Sequence, residues 1–233
     1  MKTACYYYYK KRGWDAKVIA LVTAALAPGI ALLSYFYLRN EYESRTFTQV
    51  LRAFIIGALL VFPIMVLQYA LEAESIFEAE WLHAFVGVAG LEEFFKWFLL
   101  YFAIYRFVLF QSRYDGIIYG VALSLGFASA ENVMYLMALG IDSAIGRAFL
   151  PVSSHALFGV VMGYYMGCAK KSKPNNFKLW ISLSLVVPII LHGVYDLILL
   201  TIHENVMFII VPFMFFLWWF ALSRTKKANE KMA

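Results

Sequence analysis

Apolar residues along this chain fall in long unbroken blocks. They do not show the strict alternation of a half-buried strand or the single stripe of a soluble amphipathic helix. Crossing a bilayer core of about 30 Å takes a helix of about 20 apolar residues. Blocks of that size lie at 18–38, 53–71, 84–105, 116–138, 149–169, 179–201 and 205–222. The pattern predicts an all-α, polytopic membrane helix bundle of about seven transmembrane helices, with no soluble domain. Short connections predict that helices consecutive in sequence are antiparallel neighbours in space. The membrane domain is expected over 18–222, with an N-terminal extension at 1–17 and a basic cytoplasmic tail at 223–233.

Composition agrees. The chain has 233 residues, of which 63% are hydrophobic and 15% charged, and its mean hydropathy is +0.70. A soluble domain of this size carries far more charge. The net charge of +5 is modest, and the basic residues cluster at block ends. That distribution fits membrane topology and gives no footprint for nucleic acid. Cys5 and Cys168 are the only cysteines, and they are expected on opposite sides of the membrane, so no disulfide framework is predicted. The opening stretch lacks an apolar core before its charges and does not read as a cleavable signal peptide.

Lysine and arginine orient the bundle. One face collects Arg39, Arg45 and Arg52, then Arg106 and Arg113, then Lys170, Lys171, Lys173 and Lys178, and finally Arg224, Lys226, Lys227 and Lys231. The opposite face has "EAESIFEAEWLH", with four glutamates and no lysine or arginine, then a loop with Arg147 alone, and a short "HEN" turn. The basic face is therefore expected to be cytoplasmic. Lys2, Lys10, Lys11, Arg12 and Lys17 run against this orientation; either the summed downstream charge overrides them or residues 1–17 are not part of the working protein.

Ionisable residues inside the blocks change the picture, because each costs about 2.5–3.5 kcal/mol at the bilayer centre and normally faces an interior or a water cavity. At 1.5 Å per residue, Glu92 and Glu93 lie roughly 12 Å from the outer end of their block. Glu131 and Asn132 lie near 10 Å, His155 near 9 Å, and His192 and Asp196 at about 8–14 Å. Four blocks thus place polar groups in one layer of the outer half of the membrane.

Each group has a bland and a chemical reading. Glu92 and Lys96 are four apart and Glu93 and Lys96 three apart, so both pairs can meet on one helix face. They are either an ion pair that eases insertion, or carboxylates tuned by Lys96 to activate water. Adjacent carboxylates repel, so one of them can hold a proton and act as an acid. Glu131, Asn132 and His155 can serve as helix–helix hydrogen bonds or as site residues. His192 and Asp196 share a face, so Asp196 can fix the imidazole tautomer or both can face an oxyanion. The spacing of Gly116, Gly120, Gly126 and Ala130 suggests close helix packing. A serine dyad from Ser153 or Ser154 with His155 is poor, since helix neighbours point to different faces. Glutamate, histidine and aspartate also suit a divalent metal such as zinc, although no HExxH is present. His83 and His203 read as interfacial residues, Asp115 as a cap, and Gln68 as a lone polar group without an assigned role.

Four motifs in order, "EEFFK", "FASAEN", "SSH" and "HGVYD", resemble the PrsW family of bacterial membrane proteases, within the superfamily of CAAX prenyl proteases and bacteriocin-immunity proteins. The likeness extends to "APGIALLSYFYL", "GALLVFPIMVLQY", "SLVVPIILHGVYD" and "VPFMFFLWWF", and covers nearly the whole chain from about residue 18. The resemblance implies a multi-pass enzyme of the bacterial plasma membrane. Its reaction would be the site-1 cut in a single-span, membrane-anchored anti-sigma factor, after which a site-2 protease acts on the product. It carries over Glu92, Glu93 and Lys96 from the first motif, Glu131 from the second, where the CAAX branch has histidine, and His155 from the third. The fourth gives His192 with Asp196, where that branch often has asparagine.

The expected mechanism is hydrolysis by glutamate-activated water. Glu92 or Glu93 is the base, helped by Glu131 or His155. Lys96 sets carboxylate charge, and His192 with Asp196 stabilises the oxyanion. The site is expected to open to the extracytoplasmic side. The competing readings are an ion-coupled transporter and a non-catalytic immunity or scaffold protein. Against the first stand the missing inverted repeat and a polar layer confined to one half of the membrane.

Overall fold

The computed structural model describes residues 2–40, 47–107, 110 and 112–230, with side chains from residue 17 onward. All secondary structure among these residues is helical. In order they form α1 (Lys2–Leu38), α2 (Phe47–Ala73), α3 (Glu80–Leu82), α4 (Ala89–Leu99), α5 (Arg113–Leu139), α6 (Ala144–Arg147), α7 (Ser153–Lys171), α8 (Pro174–Thr201) and α9 (Met207–Asn229). Among the described residues, six segments are long and apolar enough to cross a membrane: Lys17–Leu38, Phe47–Ala73, Arg113–Leu139, Ile141–Lys171, Pro174–Thr201 and Met207–Asn229. The chain is thus a polytopic helical bundle. The block expected at 84–105 is helical from Glu80 to Tyr105, but two π turns, His83–Val88 and Leu100–Tyr105, interrupt it, so no single regular helix within it reaches spanning length.

Chain ends give two further observations. The backbone of 2–16 continues α1 without a break, and the side chains there, including that of Cys5, lie outside the described ones. α9 runs on to Asn229, so most of the expected tail is helical, and 231–233 lie outside the described residues. Cys168 is a free, buried thiol.

α5 and the 141–171 segment are the least apolar of the six long segments and the most buried. Lipid demands a hydrophobic exterior, whereas a helix wrapped by protein can carry small and polar residues. α5 and α7 use small residues to bring their backbones into contact. A Cβ built on Gly163 would lie 2.1 Å from the carbonyl oxygen of Gly116, and one on Gly120 would lie 2.4 Å from that of Gly159. α2 meets α5 in the same way, with Gly57 against Leu123 and Gly126 against Phe54. The close packing expected from the glycine spacing is therefore present.

Sequence neighbours are not uniformly neighbours in space. α1 and α2 pack mainly on α5 rather than on each other, and α9 packs more on α7 than on α8. For α1, α2 and α7 the reason is close approach to α5 through small residues: Gly29 lies against Ser129, Gly57 against Leu123 and Gly163 against Gly116. Polar ties fix the arrangement: Tyr114 Oη donates to the Phe36 carbonyl (2.9 Å), Tyr119 Oη to Gln49 (2.8 Å), and Trp97 Nε1 to Ser184 (2.8 Å). Asp115 sits at the third position of α5 and accepts from the Ser112 amide at 2.9 Å, closing one end of the helix.

Candidate active site

The helix carrying "GLEEFFKW" enters α4 through the π turn His83–Val88, and α7 is entered through a second one, Ala148–Val152. Pro151 lies in that second turn and lacks the amide proton an α-helix needs there. π turns shift the helical register and are common at functional sites. Here they precede Glu92, Glu93 and Lys96 in one helix and His155 in the other.

Lys96 is the hub. Its ammonium is fully buried, 3.0 Å from Glu92 Oε2, 2.8 Å from Glu93 Oε1 and 3.2 Å from His155 Nδ1. It also lies 4.1 Å from the centre of the Phe127 ring. An ammonium has three protons and no lone pair. All three are used, so Nδ1 of His155 accepts and its proton is on Nε2. That nitrogen faces Glu131 Oε2 at 3.2 Å. His192 repeats the arrangement, with Nδ1 3.0 Å from Glu93 Oε1 and Nε2 3.3 Å from Asp196 Oδ2. The two imidazoles stand perpendicular, 5.1 Å between ring centres, and Phe158 stacks on His192.

All seven residues expected from the sequence, Glu92, Glu93, Lys96, Glu131, His155, His192 and Asp196, therefore meet in one cluster. They adjoin a cavity of about 330 Å³. Glu92, Glu131, His155, His192 and Asp196 line it, while Glu93 and Lys96 stand behind, both with no exposed surface. The cavity also takes in Glu72, Phe77, His83, Arg147 and Leu199, which belong to the acidic-loop end of the bundle. His83, expected to be merely interfacial, is part of this mouth. The serine dyad is absent: Ser153 bonds to the carbonyl of Phe149, and Ser154 to that of Pro151 at 2.8 Å.

Two site residues escaped the sequence reading. Gln68 donates to Glu92 Oε1 at 3.3 Å and so orients that carboxylate. Arg147 lines the cavity with its guanidinium 3.8 Å from the Tyr135 ring centre, 2.9 Å from Asn132 Oδ1 and 3.9 Å from Glu131 Oε1. Asn132 is held in turn by the Ala25 carbonyl at 2.9 Å. The available signals were an isolated amide in an apolar block and the only cation of the segment between α5 and α7.

The cluster has the chemistry of a cation site. Glu92, Glu93, His155 and His192 are all buried and can each bring a ligand atom within 4.8 Å of the others. Glu93 Oε2 is buried without a hydrogen-bond partner. Both imidazoles turn Nδ1 inward with a carboxylate behind Nε2, the outer-sphere pattern that orients metal-binding histidines. The donor set therefore fits a divalent ion.

Glu93 supports two partners, Lys96 and His192, and Glu92 supports Lys96 with help from Gln68. Breaking a buried pair by removing one partner costs roughly 3–5 kcal/mol. Glu93→Gln is accordingly expected to lower the melting temperature of the detergent-purified protein more than Glu92→Gln does. Equal melting temperatures for the two variants would contradict this arrangement.

The sequence model described as PrsW family intramembrane metalloprotease matches residues 45–222. Curated relatives named Protease PrsW are similar over most of their length. One from Halalkalibacterium halodurans is 55% identical over 213 residues, covering 91% of this chain and 99% of the relative. One from Bacillus subtilis is 48% identical over 213 residues, with 91% and 97% covered. One from Clostridioides difficile is 31% identical over 206 residues, with 84% and 87% covered. No solved structure matches.

Proposed function

The chain belongs to the PrsW family of intramembrane metalloproteases, and from that premise we propose that it hydrolyses a peptide bond of a single-span anti-sigma factor at its extracytoplasmic end. As a member of this family it is a protease and a multi-pass bacterial membrane protein. The observation that carries the finer reading is the buried carboxylate–imidazole cluster adjoining a cavity at the acidic-loop end. With the basic loops cytoplasmic, that end faces the compartment holding a substrate's external domain. A site-2 protease would then act on the shortened product.

Glu92 is the base. Of the two adjacent carboxylates it alone lines the cavity, with 5% of its surface exposed against 0% for Glu93. Gln68 and Lys96 each bond to one of its oxygens, which aims the carboxylate at a water on the cavity wall. Glu92 takes a proton from that water as its oxygen bonds to the scissile carbonyl carbon. Return of the proton to the departing nitrogen accompanies cleavage of the carbon–nitrogen bond. Lys96 is a positioning residue behind the reacting groups.

The ring nitrogens of His192 both face carboxylates, so they are poorly placed for an oxyanion. Arg147 suits that role better, because it is permanently charged, lines the cavity and is aimed by Asn132 and Tyr135. Loss of one such donor lowers kcat about 10²–10³-fold. Arg147→Gln is expected to do so with little change in protein level, whereas near-normal turnover would remove Arg147 from this role. Glu93, His155 and His192 would hold a divalent ion such as zinc as a two-histidine, one-glutamate set. When bound, such an ion supplies carbonyl polarisation and a more acidic water.

The test is reconstitution of purified protein with a candidate single-span anti-sigma factor in liposomes, with cleavage products mapped by mass spectrometry. A cut on the extracytoplasmic side supports the assignment. An intact substrate with an active protein, shown by cleavage of another membrane peptide, would overturn the substrate assignment.

A further inference from the structure

We propose that Lys96 is a tethered cation that holds the place a divalent ion would take, so that ammonium and metal compete for one set of ligands. The inference rests on the reading of Glu93, His155 and His192 as the ion's ligands. Three of the four donor residues that could surround an ion are already bound to the Lys96 ammonium, at 2.8, 3.0 and 3.2 Å. The atoms it engages on Glu93 and His155 are Oε1 and Nδ1. His155 has no other nitrogen to offer, because its Nε2 is turned to Glu131 at 3.2 Å. Metal ligation by His155 through Nδ1 therefore requires Lys96 to let go.

Sterics and charge both point to exclusion. A divalent ion bonds to nitrogen and oxygen at about 2.0–2.2 Å, inside the radius that the ammonium now occupies. Two cations at such range repel strongly in a buried site. The ammonium is not free to drift aside, because Phe127 covers it at 4.1 Å and it has no exposed surface. Lys96 thus organises two carboxylates and an imidazole without a metal, and it sets a threshold that an ion must overcome. Oε2 of Glu93, buried without a hydrogen-bond partner, is the one oxygen of the two carboxylates that neither Lys96 nor Gln68 engages.

Cobalt(II) alone is the probe, since its visible absorption reports a four-coordinate nitrogen and oxygen site independently of proteolysis. Full-length protein in detergent, stripped by chelator, is titrated as wild type and as Lys96→Met. The expected result is cobalt binding at least about tenfold tighter in Lys96→Met, as follows from removing a like charge at contact distance, together with a cobalt-dependent rise in melting temperature larger than in wild type. If Lys96→Met fails to fold because two carboxylates lose their counter-charge, the comparison is made between Glu92→Gln and the double variant Glu92→Gln/Lys96→Met. The double variant restores the charge balance and keeps Glu93, His155 and His192. Tighter cobalt binding in the double variant supports competition. Equal tight binding with and without Lys96 overturns it and leaves the ligand assignment standing. No binding in any variant overturns both.

Discussion

Glu92→Gln should abolish most proteolysis while leaving the protein folded. Glutamine keeps the volume of the side chain and can still bond to Gln68, but it cannot take a proton from water. Loss of a general base lowers the rate by about 10²–10⁴-fold. The fold should survive because Glu93 still neutralises Lys96 at 2.8 Å. The measurement is the rate of substrate cleavage in membranes, normalised to the amount of protease and compared with its melting temperature in detergent. A variant that cleaves at the wild-type rate would remove Glu92 from the reaction. A variant that neither folds nor accumulates would show that its pairing with Lys96 is structural first.

The second large effect concerns packing rather than chemistry. Gly163→Leu should prevent accumulation of folded protein. A Cβ at that position lies 2.1 Å from the Gly116 carbonyl oxygen, 2.5 Å from its carbon and 2.8 Å from Ile117 Cα. All three are backbone atoms, so no rotamer change relieves the overlap and the helices must separate. Substitutions of this kind fall in the exceptional class that costs more than about 4–5 kcal/mol. Gly146→Ala is the control, because nothing lies within 4 Å of its Cβ, and it should be neutral. Comparison of membrane abundance and resistance to proteinase for the two variants decides the matter. Normal abundance of Gly163→Leu would mean that α5 and α7 do not touch as described.

Much of this was legible in the chain. Block lengths gave the membrane bundle, since lipid leaves few alternatives to a helix of that length. The common depth of Glu92, Glu131, His155 and His192 anticipated the cluster, because buried charge must find partners. The hidden features depend on geometry that residue order does not encode. The π turns at His83–Val88 and Ala148–Val152 have no simple motif, and only Pro151 hinted at one of them. Gln68 on α2 reaches Glu92 on α4, and Arg147 reaches Asn132 from the short helix α6. Pairings of this kind follow from how separate helices are placed against one another. The choice between Glu92 and Glu93 was also beyond the sequence, since adjacent residues differ in outlook by about 100° and only the placed cavity selects one of them.

The main-chain contact between α5 and α7 has a bearing on how a substrate is admitted. Glu131 rides on the first of these helices and His155 on the second, so their spacing is gauged by two polypeptide backbones rather than by a yielding cushion of side chains. A centre built on such a ruler cannot widen to receive a transmembrane guest. The same gauge holds α2 against α5 at Gly57 and Gly126, so the helices left to yield are those that meet the site through side chains alone.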